Sequence, residues 1–298
     1  MLLAVFLPLR ARAAEGYVGS RPLGMGEGSR AFETGDAALL LKPSGISLLK
    51  NYVIDGGYAY GRTFSENILH ASIVDNTSSY NLGGGIYYTY HAIAAPPGGS
   101  SGYTHEGGFA LSLPFGEMLA IGTTVKYVHL VNADAGAASP RLNGLTFDVG
   151  ATLRPAPILS LAFVGTNLHD LDNGLVPLGL GYGVALLPIP NVIVVADGRT
   201  TLEPDLFTGR KGTSIMGGAE WTWAQRMALR AGGGYDASTG NGYLTVGLTG
   251  LSEIGALDAG LRQDVSQHED AGVTTPRQTI VGVNLRLFVP ASQTQPPP

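Results

Sequence analysis

Tyr243-Leu244-Thr245-Val246-Gly247-Leu248-Thr249 alternates aliphatic side chains with small, polar or aromatic ones at every step. Successive residues of a strand point to opposite faces, so Leu244, Val246 and Leu248 share one face and Tyr243, Thr245, Gly247 and Thr249 the other. The same period of two returns elsewhere. Met227, Leu229, Ala231, Gly233 and Tyr235 oppose Arg226, Arg230 and Asp236, and Val281, Val283, Leu285 and Leu287 oppose Gln278, Gly282, Asn284 and Arg286. Leu119, Ile121, Thr123, Val125 and Tyr127 oppose Gly122, Thr124 and Lys126, while Leu145, Phe147, Val149, Ala151 and Leu153 oppose Asp148, Thr152 and Arg154. These are strand repeats, not helical ones.

The joins between the stretches decide which all-β fold they build. Each stretch is roughly ten residues long, the length that crosses a bilayer as a tilted strand. Tight joins fall at 75–79, 114–117, 155–157, 188–190, 224–226 and 251–253. Between them lie wide joins at 91–103, 129–142, 166–176, 200–213 and 264–277, and two of middling length, 61–67 and 236–241, where a long one is due. A soluble sandwich has no reason to sort its loops this way. A barrel of the bacterial outer membrane does, with short periplasmic turns on one rim and long external loops on the other. The pattern predicts an all-β, transmembrane antiparallel β-barrel of about 14 strands over residues 51–290, set in outer-membrane lipid with both termini periplasmic.

Composition agrees. The chain has no cysteine and a net charge of -5, which excludes a disulfide or thiolate-metal scaffold and lacks the basic footprint of a nucleic-acid binder. No segment reaches the ~20 continuous apolar residues of a spanning helix. The start, Leu2 to Leu9 followed by Ala11-Arg12-Ala13, reads as a signal peptide over residues 1–14 without its basic leader. Residues 291–298 read as a disordered, proline-rich tail.

The polar face carries Asp55, Lys126, Asp148, Arg154, Asp197, Glu220, Arg230, Asp258, Arg262 and Arg286. Arg or Lys on the lipid side at mid-membrane costs ~2–4 kcal/mol, so shared parity assigns all ten to the lumen. There they either line a polar conduit or pair with one another to fill and stiffen a narrow interior. Gly83, Gly85, Gly179, Gly181, Gly183, Gly232 and Gly234 crowd the same face, leaving room for an object inside. Tyr52, Tyr60, Tyr88, Tyr90, Trp221, Trp223 and Tyr243 read as interfacial girdles or as ordinary strand formers.

Residues 15–50 precede the strands. They include Arg21-Pro22-Leu23-Gly24-Met25-Gly26-Glu27-Gly28, then Asp36-Ala37-Ala38-Leu39, then Lys42-Pro43-Ser44-Gly45. Thr34 or Asp36 can cap a short helix, Ala37–Leu41 propagates it and Pro43 stops it. This segment resembles the start of the FadL/TodX-type outer-membrane transport barrels and of the related PorV/PorQ-like and UPF0164-type barrels. Those carry an LGMGGA-like run, a D-A-x-A-L stretch and Asn-Pro-Ala-Gly before the first strand. Pro43 and Gly45 match the last motif; Lys42 and Ser44 depart from it. The resemblance implies that residues 15–50 form a hatch inside the barrel, carried by Gly24, Gly26, Gly28, Asp36, Pro43 and Gly45. It also implies that hydrophobic substrates leave sideways through the wall.

No catalytic chemistry stands out. Gly24-Met25-Gly26-Glu27-Gly28 lacks the strand and helix of a nucleotide-binding unit, the six histidines show no metal-ligand spacing, and no Gly-x-Ser-x-Gly elbow is present. The expectation is a non-enzyme without cofactor or metal. Its leading function is passive passage of a small hydrophobic ligand. The alternative is a PorV-like barrel that anchors a secreted protein partner.

Overall fold

An antiparallel strand leaves unpaired N–H and C=O groups at any open edge, which lipid cannot satisfy, so a sheet with an apolar outer face must close. In the computed structural model it does. The structure describes residues 18–63, 65–79, 81–93, 101–132, 141–169, 171, 176–203, 211–270 and 273–289; the signal-peptide and tail expectations lie outside them. The wall comprises β1 (Tyr52–Gly61), β2 (Glu66–Asp75), β3 (Gly83–Ile93), β4 (Gly102–Phe115), β5 (Leu119–Asn132), β6 (Arg141–Ala156) and β7 (Leu159–Thr166). It continues through β8 (Gly179–Ile189), β9 (Val192–Thr201), β10 (Gly212–Trp223), β11 (Met227–Asp236), β12 (Asn241–Leu251), β13 (Gly255–Asp264) and β14 (Thr279–Phe288). Each strand pairs antiparallel with its chain neighbours, and β1 closes on β14 from Val53↔Phe288 to Gly61↔Ile280. A separate two-residue ladder joins Glu269–Asp270 to Val273–Thr274.

The two faces differ as the period of two requires. Leu244, Val246, Leu248, Val281, Val283, Leu285, Leu145 and Phe147 are exposed on the outside, whereas Tyr243, Thr245, Thr249, Asn284 and Asp148 are buried inside. Fully aliphatic and aromatic side chains standing in solvent all round the wall are the surface of a barrel made for lipid. Tyr60, Tyr88, Trp221 and Trp223 are exposed on it. Tyr243 departs from the girdle reading: it shares the parity of Thr245, is 3% exposed, and turns its ring under the Arg262 guanidinium, 3.8 Å away.

The joins alternate in length except at the start, where the β2–β3 join (76–82) is longer than the β1–β2 join (62–65). The turn expected at 75–79 runs to residue 82, because the Asp75 carboxylate accepts the Thr77 and Ser78 amides and holds the chain in a wider turn. β5 and β6 extend to 14 and 16 residues by pairing Val131 with Arg141, inside the expected wide join. Register is unbroken from β1 through β5; it shifts only beside the tight turns of β6–β7 and β8–β9.

Before the wall come α1 (Ser20–Gly24), α2 (Asp36–Leu41) and a 3-10 turn over Pro43–Leu48. α1 was not expected from the pattern. α2 is capped neither by Thr34 nor by Asp36: Gly35, at φ 64, occupies the N-cap without a side-chain bond. Pro43 stops α2 and starts the 3-10 turn, where its missing N–H costs nothing.

Candidate functional site

The inner wall meets residues 18–50 rather than open water. α1 packs on β11, β12, β13 and β14, and the 3-10 turn on β3, β4, β5 and β6, with α2 between them against β1, β2 and β3. Contact is backbone on backbone where glycine allows it. A Cβ on Gly24 would fall 2.8 Å from Gly247 Cα, and one on Gly26 2.4 Å from Gly217 O. On the wall side, a Cβ on Gly232 would fall 2.6 Å from Gly26 N and one on Gly122 2.5 Å from the Pro43 carbonyl carbon. Hydroxyls complete the seam. Gly26 N–H donates to Thr245 Oγ1 (2.8 Å), Tyr243 O–H to Gly26 O (2.8 Å), and Ser20 bonds Asn284 Oδ1 through both its N–H (3.0 Å) and hydroxyl (2.6 Å).

The charged side chains form linked pairs. Glu220 bridges Arg230 (2.6 Å) and Arg21 (3.1 Å), Arg21 also reaches Glu33 (3.0 Å), and Asp258 takes Arg286 (2.8 Å) and Arg230 (3.5 Å). Arg262 meets Glu27 (2.7 Å), Asp264 (3.2 Å) and Asp236 (3.5 Å). Asp197 holds Arg30 through its guanidinium (3.3 Å) and its amide (2.8 Å), and Lys126 pairs with Asp148 (2.8 Å). Asp55 accepts both bonds from Asn284 Nδ2 (2.9 and 3.1 Å) and lies 3.8 Å from His70 Nε2. Arg154 is half-buried at the tight-turn end of β6, its backbone amide donating to Met118 O (2.6 Å).

Of the segment residues singled out from the sequence, Gly24 and Gly26 lie on the wall, and Gly28 faces Met216 and Asp197 at ordinary contact distance. Gly45 backs onto Glu33 O and Ala38, Pro43 rests on Gly122 and Gly150, and Asp36 borders a small cavity with Asp55, His70 and Asp258. Lys42 donates to Thr152 Oγ1 (2.8 Å); it lies outside the wall strands, and burial, with Arg154 adding to it, pushes its amine down to about 7. Sequence reasoning missed Arg21, Glu27, Arg30 and Glu33. Their signal was available: a cluster of charges in a short apolar, glycine-rich stretch with no polar face of its own.

On the far side of the segment from the tight turns lies a cavity of about 160 Å³. Leu40, Leu41, Ile68, Val128, Leu130 and Val176 give it apolar lining; Arg30, Glu106, Lys126, Asp148 and Arg199 give it charge. Among the described residues there is no group of three or more His, Cys, Asp or Glu side chains able to hold a metal.

No protein-family model and no curated protein matches the chain. Solved structures do. The toluene transporter TbuX of Ralstonia pickettii superposes with a TM-score of 0.68 at 12% identity, covering 92% of this chain and 98% of that one. The toluene transporter TodX of P. putida gives 0.65 at 12%, covering 92% and 98%, and a Pseudomonas aeruginosa FadL homologue gives 0.66 at 10%, covering 93% and 99%. The chain has the FadL/TodX-type barrel fold.

Proposed function

We propose that this chain is a bacterial outer-membrane barrel for passive passage of small hydrophobic molecules, with residues 18–50 as the hatch and both termini periplasmic. One observation carries the reading: a closed, lipid-suited wall encloses a segment of its own chain and, beside it, a partly apolar cavity. A barrel built only to stand in the membrane has no use for a fitted inner segment. Likeness in fold to two toluene transporters supports the same reading. Chemistry on the substrate is not part of it; the lumen charges are engaged in ion pairs, several of them with the segment.

The density of ion pairs in the lumen favours a second reading, a PorV-like barrel whose rim holds a secreted protein. Toluene flux into vesicles carrying the purified protein separates the two. Passage predicts flux above protein-free vesicles, and deletion of residues 15–45 should raise small-solute conductance while the barrel still migrates faster unheated than boiled. Absence of toluene flux would refute the passage reading. A folded deletion variant with unchanged conductance would refute the hatch.

A further inference from the structure

We propose that His105 and His129, side by side on the outer face of the wall, hold a divalent first-row transition ion, with copper bound more tightly than nickel or zinc. Antiparallel pairing sets the two residues directly opposite each other on β4 and β5, although they stand well apart in the chain. His105 shares the parity of Tyr103, Phe109 and Leu113, and His129 that of Ile121, Val125 and Tyr127, all exposed on the outside. The imidazole centroids lie 5.9 Å apart, with the ring planes 29° from parallel. An ion about 2.0–2.1 Å from one nitrogen of each ring is within reach at that separation after a modest turn of the rings.

The ring nitrogens are already sorted for this. His105 Nδ1 lies 2.5 Å from the Tyr88 hydroxyl, and His129 Nδ1 bonds Asn143 Oδ1. An amide oxygen only accepts, so His129 carries its proton on Nδ1 and presents the lone pair of Nε2. The Tyr88 oxygen can accept the Nδ1 proton of His105 in the same way. Among the described residues, no hydrogen bond reaches Nε2 of either ring. Metal-binding imidazoles have this arrangement: one nitrogen meets the ion while the other donates to an oxygen that fixes the ring. Tyr103 braces both, its centroid 5.3 Å from His105 and 6.1 Å from His129.

Position and chemistry choose the ligand. The pair stands at the end of β4 and β5 away from the turn that joins them. A tilted strand lifts His105 about 25 Å above Phe115 at that turn, the full height of an apolar band, so ions reach it from water. Water then fills the remaining coordination positions. Imidazole suits copper, nickel and zinc, with Cu²⁺ at the top of the series, whereas calcium and magnesium require oxygen. The pair touches neither the cavity nor the inner segment, so it stands or falls apart from the passage reading.

The test is calorimetric titration of the full chain, purified in detergent without a histidine tag, with Cu²⁺, Ni²⁺, Zn²⁺ and Mg²⁺. Cu²⁺ should bind one to one and at least tenfold more tightly than Ni²⁺ or Zn²⁺, with no heat from Mg²⁺. His105→Gln and His129→Gln should each weaken it at least tenfold, and Asn143→Ala, which removes no ligand, about tenfold. His169→Gln and His268→Gln should leave it unchanged. Heat-modifiable migration checks folding; should a variant fail it, the electron paramagnetic resonance spectrum of wild-type protein with Cu²⁺ decides, two coupled imidazole nitrogens being expected. Absence of saturable Cu²⁺ binding, indifference to His105→Gln or His129→Gln, loss on replacing His169 or His268, or a spectrum with fewer than two nitrogens would overturn the proposal.

Discussion

Replacing Gly26 with alanine asks whether the inner segment is held by backbone contact. Gly26 has φ +73, a region that costs an L-residue about 1–2 kcal/mol. A Cβ there would lie 2.4 Å from Gly217 O and 2.9 Å from Gly233 N, both backbone atoms of the wall that cannot rotate aside. Forcing a methyl into such packing costs a further ~1–3 kcal/mol. Together about 2–5 kcal/mol opposes the docked position, a shift of roughly thirty- to several-thousand-fold in the docked-to-released ratio. Gly28→Ala is the matched control: its backbone is not left-handed, and its Cβ would meet Met216 Cγ at 3.5 Å, an ordinary contact. Amide exchange of residues 19–33, read by mass spectrometry in detergent, should show lost protection for Gly26→Ala and little change for Gly28→Ala. The wall bonds strand to strand, so heat-modifiable migration should survive in both. Wild-type protection in Gly26→Ala, or equal loss in Gly28→Ala, would refute the seam described above.

Three further outcomes are expected. Glu220→Gln leaves the Arg21 and Arg230 guanidinium groups without the carboxylate between them; breaking a buried pair costs ~3–5 kcal/mol, so the temperature at which the fast-migrating band is lost should fall. Val246→Arg places a charge on the outer face midway along β12, where ~2–4 kcal/mol is lost in a bilayer, measurable as a lower urea midpoint in liposomes. Lys42, with its amine pushed down to about 7 from an ordinary value near 10.5, takes up a proton more readily when the segment is released. Docking should therefore weaken as pH falls from about 10.5 to about 7 and change no further below that, and Lys42→Met should abolish this slope in amide exchange.

The wall was legible because its period is simple. Every aliphatic residue of Leu244, Val246 and Leu248 stands outside, and the small or polar residues between them stand inside, since one-residue slippage would reverse the faces and immerse Thr245 and Arg230 in lipid. Strand ends were less legible. Val131 and Arg141 pair inside what reads as a loop, because ladder bonds extend wherever two strands already run side by side. α1 was hidden by its length and by Pro22, and only its fit against Gly247 and Gly260 makes it form there. The cavity had no local signal, since its lining comes from most of one side of the barrel and from the segment.

Parity tells which charges turn inward but not what they meet. Arg21 finds Glu220 across 199 positions of sequence, a pairing that exists only once the sheet has closed. The partners also separate the two readings of the inner charges. Side chains that merely stiffened the wall would be satisfied by neighbouring strands, as Arg286 is by Asp258. Glu220 and Arg262 have wall partners too, but they also reach Arg21 and Glu27 of the segment, and Asp197 reaches Arg30. A carboxylate or guanidinium of the wall would face an unbalanced, buried charge if the segment left without water replacing it. Release and hydration are therefore one event: the segment can move only as water enters, so an opened lumen is a wet one.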